Sequence, residues 1–349
     1  VKHARALLKD VEGYVPGEQP KDPNIIKLNT NENPYPPSPM ALEALKAIAA
    51  DALRKYPDPL ATALRAKWAE IQHYSGAEWV VAGNGMDELL AMAVRTFVDP
   101  GDTILTTYPT YTLYETLAKL HGARVEAIEL DDAYQLPESF FGCRGRMCFL
   151  PRPNAPTGVC VPREDVERLC AEFNGLVVID EAYVDFADDN CMDFPARHEN
   201  AIVMRTFSKS FSLAGLRLGL AVANPAIIEE FLKTKDSYNL NAVTQAVGLA
   251  ALNDCEHMKR NASRVAATRK RATGALQELG FEVTPSQSNF VLARWDKKPG
   301  ARTIFEKLRN HKIFVRYFDA PRLRDALRIT IGTDGEMDAL ITALRHIVK

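Results

Sequence analysis

The run IVMRTFSKSFSLAGLRLG places Lys209 among small hydroxyls, beside Thr206, Ser208, Ser210 and Ser212, with Arg217 shortly after. A lone lysine on a loop is ordinarily a solvated cation. Flanked by hydroxyls and an arginine, it suits an amine that carries a Schiff base next to a phosphate pocket. Upstream, LVVIDEAYVDF runs four apolar residues into Asp180. That carboxylate sits at the carboxyl end of a buried strand, where it can cap a helix or pair with a cation in a low-dielectric crevice. Tyr183, three residues on, is either core or a phenol offered to the same place.

Gly83-Asn84-Gly85 is the third piece. It leads into a helical pattern of Met86, Leu89, Leu90, Ala93 and Phe97. Backbone N–H groups at such a helix start can receive an anion, although a plain tight turn reads the same way. A dinucleotide fingerprint would need glycine where Glu88 stands, and no GxxxxGK segment exists.

These residues need a scaffold that presents strand ends. Between about 76 and 245, apolar strands (Trp79–Ala82, Thr103–Thr106, Met147–Leu150, Leu176–Asp180, Ile202–Thr206 and Leu218–Ala223) alternate with amphipathic stretches such as Leu113–Leu120 and Arg163–Phe173. This predicts an α/β fold with an open, mostly parallel sheet whose ligands lie outside the strands' carboxyl ends. Ser38 and Pro39 open a helix with Leu42, Leu45, Ala49 and Ala52 on one face. A charged helix near 256–279 precedes strands at Phe281–Thr284, Asn289–Trp295, Ile313–Tyr317 and Leu327–Ile331. Thr333 and Glu336 then stand at capping-box spacing before Met337, Leu340, Ile341, Leu344 and Val348. The division expected is an extended arm over 1–37, a large domain over 38–250 and a small α+β domain over 251–349.

Composition narrows the class. The chain has 349 residues, 46% of them hydrophobic, with 43 Lys+Arg against 45 Asp+Glu. The resulting net charge of −2 argues against a nucleic-acid partner. No apolar run is long enough to span a bilayer, and the opening VKHARALLKDVEGY lacks a signal-peptide core. Six cysteines form no CxxC pair and the histidines no HExxH, so the reading is a cytoplasmic, metal-free enzyme.

Taken in order, NENPYPPSP, PNAPTG, IDEAY and SKSFSLAGLRLG resemble the aminotransferases of pyridoxal-phosphate (PLP) fold type I. NENPY and RKYPD point to the histidinol-phosphate aminotransferases among them. The resemblance runs from about residue 25 to the C-terminus. It implies a mostly parallel seven-stranded sheet sandwiched by helices, with pyridoxal 5′-phosphate joined to Lys209. Asp180 would pair with the ring nitrogen, Tyr183 would hydrogen-bond the ring oxygen, and Tyr111, or failing it Tyr108, would stack on the ring. Gly85 and Met86 amides, Thr206, Ser208 and Arg217 would hold the phosphate, with Asp87 in a capping role.

The resemblance further implies that Arg328 grips a substrate carboxylate and Arg316 a substrate phosphate. Asn33 and Tyr35 would sit in an arm over the substrate. Tyr56 would reach the neighbouring subunit's site in a homodimer. Amino donor and 2-oxo acid would react in turn, transferring the amino group of L-histidinol phosphate to 2-oxoglutarate. An aromatic aminotransferase and a phosphothreonine decarboxylase remain open alternatives. One departure stands out: the family's asparagine before PTG is Ala155 here, which leaves Asn154 or Tyr183 to serve the ring oxygen.

Overall fold

The computed structural model describes residues 3–11, 13 and 17–349. Part of the expected arm, residues 1, 2, 12 and 14–16, therefore lies outside the described residues. In chain order the strands are β1 (Ile26–Lys27), β2 (Val80–Gly83), β3 (Thr103–Tyr108), β4 (Arg124–Glu129), β5 (Met147–Pro151), β6 (Leu176–Asp180), β7 (Ala201–Thr206) and β8 (Gly219–Ala223). They continue with β9 (Glu282–Val283), β10 (Phe290–Arg294), β11 (Ile313–Phe314), β12 (Arg316–Tyr317) and β13 (Ala326–Thr330).

Seven strands form one sheet in the order β2-β8-β7-β6-β5-β3-β4. All neighbours are parallel except β8, which runs antiparallel to both β2 and β7. The central strands carry apolar runs because helices cover both faces, and every residue of β5 and β7 is buried, Arg205 and Thr206 included. Edge strand β4, RVEAIE, is half polar and mostly exposed, and no apolar run announces it. Register then assembles the site: Pro151 lies beside Asp180, and Gly219 pairs with both Thr206 and Gly83. Segments following β5, β6 and β7 thus leave the sheet along one edge, with the helix after β2 beside them.

A second sheet, β12-β13-β10-β9, is antiparallel and packs on the 255–278 helix and the 301–310 helix. The expected Ile313–Tyr317 strand is two short pieces, because β11 pairs with β1 of the arm and β12 with β13. Arg316 and Arg328 are thereby cross-strand partners. The arm is pinned as well as extended: Leu28 is buried, and its amide bonds the Phe314 carbonyl at 2.7 Å.

Local signals explain the helix starts. Ser38 accepts the Met40 amide, and Thr333 and Glu336 form the expected capping box. The predicted Leu42 and Leu45 stripe, however, does not enter the core. The helix is Pro39–Lys46, its one buried residue is Ala41, and Leu42 and Leu45 are 41% and 49% exposed. No helix of the described residues is long and apolar enough to cross a membrane.

Candidate active site

A cavity of about 780 Å³ opens where the large sheet's carboxyl edge meets the arm and the β12–β13 hairpin. Lys209, Asp180, Tyr183, Tyr111, Met86, Thr206, Ser208, Arg217, Arg316 and Arg328 all line it. Residues more than a hundred positions apart therefore share one space, because the parallel register brings their strand ends together.

Lys209 is half-buried, its Nζ donating to the Thr30 carbonyl at 3.2 Å and standing 5.6 Å from the Tyr183 ring centre. Asp180 is 4% exposed. Its carboxylate accepts the Tyr114 hydroxyl at 2.5 Å and the Ala182 amide at 3.0 Å, and it has no cationic partner among the described residues. Burial pushes its carboxyl up to about 6, against the opposing pull of those two donors. A buried carboxylate with only neutral partners is costly unless a cation arrives to pair with it. That vacancy of charge suits a protonated ring nitrogen.

Tyr114, 1% exposed and stacked on Phe149 at 4.8 Å, was hidden in the sequence as one more apolar position of an amphipathic helix. Tyr111 lies edge-on to it at 5.6 Å and donates to Asp87 at 3.3 Å. Tyr108 points elsewhere, bonding the Pro321 carbonyl at 3.0 Å, so of the two tyrosines only Tyr111 faces the cavity.

The anion end is built around Arg217, which has a left-handed backbone (φ 55°) and donates to Ser208 Oγ and to Asp87, both at 3.3 Å. A Cβ on Gly85 would stand 2.5 Å from the Arg217 guanidinium, and φ there is +85°. The left-handed φ favours glycine there, and the missing side chain leaves the guanidinium room beside the backbone. The Gly85 amide, however, donates to the Gly83 carbonyl at 2.8 Å, and Gly85 does not line the cavity. That amide is thus engaged within its own turn, whereas the first-turn amides of the 86–97 helix, Met86 and Asp87, have no intrahelical acceptor. Asp87 holds the guanidinium and the Tyr111 hydroxyl from its side of the pocket.

At the far end Arg328 donates to the Asn29 carbonyl at 2.9 Å and lies over Phe290 and Phe318. Arg316 stands over Phe318 at 5.3 Å. Two guanidiniums thus face a cavity whose opposite end carries a third.

Four predicted residues are placed elsewhere. The Asn154 amide donates to the Pro109 carbonyl at 3.2 Å and its oxygen accepts Thr157, so it braces the loop while Ala155 lines the cavity. Asn33 donates to the Lys209 and Ser210 carbonyls, both at 3.1 Å, and holds the lysine's loop from behind. Tyr56 is 80% exposed and stacked on Tyr238 at 4.4 Å, outside this chain's cavity. Tyr35 packs under Arg264 at 3.6 Å rather than over the cavity. Behind the lysine loop, buried Arg205 pairs with Glu181 and Asp185 at 2.7 Å each, and Asp185 also accepts Ser210, tying the Asp180 and Lys209 segments together.

Comparison with known proteins places the chain among aminotransferases. The family described as Aminotransferase class I and II matches residues 23–344. A histidinol-phosphate aminotransferase of Synechocystis sp. is 46% identical over 98% of this chain and 97% of its own length. One from Rhodopirellula baltica is 42% identical over 99% and 96%. A crystal structure of histidinol-phosphate aminotransferase from Sinorhizobium meliloti in complex with pyridoxal-5′-phosphate superposes with a TM-score of 0.86 at 28% identity, covering 93% of this chain and 90% of that one.

Proposed function

The chain belongs to the class I and II aminotransferase family, and on that premise we propose that it transfers the amino group of L-histidinol phosphate to 2-oxoglutarate. The products are imidazole-acetol phosphate and L-glutamate, and the setting is histidine biosynthesis. One observation carries the reading: an amine, a buried carboxylate lacking a cation and a phenol converge in a cavity with arginines at both ends.

The residues present fit pyridoxal 5′-phosphate. Arg217, Ser208, Thr206 and the Met86 and Asp87 amides would hold its phosphate, Asp180 its ring nitrogen, Tyr183 its ring oxygen, Tyr111 its face and Lys209 its aldehyde carbon. When bound, the cofactor supplies an electron sink for the carbanion at the substrate Cα. The protein does the rest. Asp180 would pair with the ring nitrogen and favour its protonated form. Lys209, whose Nζ stands in the cavity, would move the proton at the substrate Cα as a general acid–base. Arg328 orients the donor's carboxylate or the equivalent anionic arm, and Arg316 the phosphate ester, through charge-assisted hydrogen bonds. Glutamate and histidinol phosphate can then use one site in turn, since each presents an anion to the arginine pair.

The reading extends to assembly and division of the chain. Exposed Leu42, Leu45, Leu53, Leu60, Tyr56 and Tyr238 support a homodimer in which Tyr56 enters the partner's site. The division into arm (1–37), large domain (38–250) and small domain (251–349) is supported by the seven-stranded sheet falling within 80–223 and the four-stranded sheet within 282–330, with β1 of the arm pairing β11. Six free cysteines support a reducing, cytoplasmic setting.

The test is a half-reaction screen. Mixing the PLP-loaded protein with histidinol phosphate should convert it to the pyridoxamine form faster than phenylalanine or tyrosine does. Carbon dioxide release from phosphothreonine without transamination would instead indicate the lyase, and equal rates with the aromatic donors a general aromatic aminotransferase.

A further inference from the structure

Every polar group of Asn31 is engaged, with partners on the β10–β13 side and on the segment after β6. The residue is 1% exposed with a left-handed backbone (φ 57°). Its amide N–H donates to Thr330 Oγ1 at 3.0 Å, and its carbonyl accepts the Asn289 side-chain amide at 2.9 Å. Thr330 Oγ1, already accepting that N–H, donates its own proton to Asn31 Oδ1 at 3.0 Å. All three bonds run to β10 and β13 or the residue flanking them. The fourth, from Nδ2, crosses to Tyr183 Oη at 2.9 Å, on the segment leaving β6.

We propose that Asn31 is a positioning residue that sets the direction of the Tyr183 proton, aiming it into the cavity. This rests on the reading above, in which Tyr183 serves the cofactor's ring oxygen. An amide nitrogen only donates. With Oδ1 fixed by the Thr330 hydroxyl, Nδ2 must face the phenol, and the Tyr183 oxygen must accept. Its own proton is then available to an acceptor on the cavity side. The position opposite, where an asparagine would offer a second donor, is Ala155, and Asn154 is bonded to Pro109 and Thr157. Tyr183 is therefore the one side-chain donor left for that oxygen among the residues predicted to serve it, and the direction of its proton decides whether the bond forms.

The same arrangement ties the phenol to substrate capture. Thr330 is two residues from Arg328 on β13. The preceding arm residues bond the site directly, Asn29 through Arg328 and Thr30 through Lys209.

The experiment compares Asn31→Asp, Asn31→Ala and Tyr183→Phe by equilibrium binding of pyridoxal 5′-phosphate to the apoprotein, with the apoprotein's thermal midpoint as a folding control. Aspartate keeps the shape but puts an oxygen where Nδ2 stands, drawing the phenol's proton away from the cavity. Asn31→Asp should weaken cofactor binding about tenfold, more than Asn31→Ala does, and the effect should vanish in the Tyr183→Phe background. Wild-type affinity in Asn31→Asp, or an unchanged loss in the double variant, overturns the proposal. If Asn31→Asp does not fold, Thr330→Val, which frees the amide to rotate, serves in its place. It should weaken cofactor binding with Tyr183 present and not with phenylalanine there. Failure of the wild-type apoprotein to bind the cofactor at all would instead sink the functional reading beneath it.

Discussion

Asp180 is an acid with two opposed demands. Its carboxyl is raised from 3.8 to about 6 because burial disfavours the anion more than Tyr114 and Ala182 favour it. In the apoprotein the native state therefore holds this proton at pH values where the unfolded chain has lost it. Its contribution to stability is present below about pH 4 and is lost as pH rises through 6. Asp180→Asn should leave the apoprotein's denaturant midpoint at pH 8 unchanged or higher, while cofactor affinity falls. A lower midpoint at pH 8 would show that the carboxylate stabilises the fold without a cation. The wild-type protein should also bind the cofactor more weakly as pH drops below about 6, read by fluorescence titration. The lysine, the aspartate and Tyr183 were all legible in the sequence, because each follows an apolar strand that marks its place. Tyr114 and Asn31 were not: their roles depend on hydrogen bonds to residues 66 and 152 positions away, which no local pattern encodes.

Elements position these groups through contact, and one glycine shows how tightly. A Cβ on Gly219 of β8 would stand 2.7 Å from the Met86 amide nitrogen, whereas Gly215 has nothing within 4 Å. Gly219→Ala should push the start of the 86–97 helix out of place. The expected cost is about 1–3 kcal/mol of stability and a weaker grip on the cofactor's phosphate, with Gly215→Ala silent. Equal behaviour of the two variants in chemical denaturation would contradict this account of the anion end. Thr333→Ala, which removes the capping box of the last helix, should cost about 1 kcal/mol and leave cofactor binding unchanged. Strand ends were readable because buried parallel strands carry apolar runs, and the capping box because its chemistry is local. Edge strand β4 escaped notice for the opposite reason, its polar residues facing outward. The break of Ile313–Tyr317 into two pieces follows from competition between the arm and β13 for its backbone, a tertiary effect.

At the scale of the whole molecule, the stripe that sets Leu42 and Leu45 on one helix face stays outside this chain's core. Leu42, Leu45 and Leu53 are 41%, 49% and 64% exposed beside Tyr56. A single chain gives no sign of which apolar faces a partner covers. The protein should be a dimer in solution. Leu45→Glu with Leu53→Glu should shift it to monomer by light scattering and reduce turnover by removing Tyr56 from the neighbouring site; a wild-type monomer with full activity would contradict the shared site.

The central claim concerns one bond, between Lys209 and the cofactor. Borohydride reduction of the PLP-loaded protein, followed by peptide mass mapping, should find a pyridoxyl group on the Lys209 peptide and on no other, and Lys209→Ala should abolish it. A pyridoxyl group on a different lysine, or none on the wild-type protein, would contradict the account.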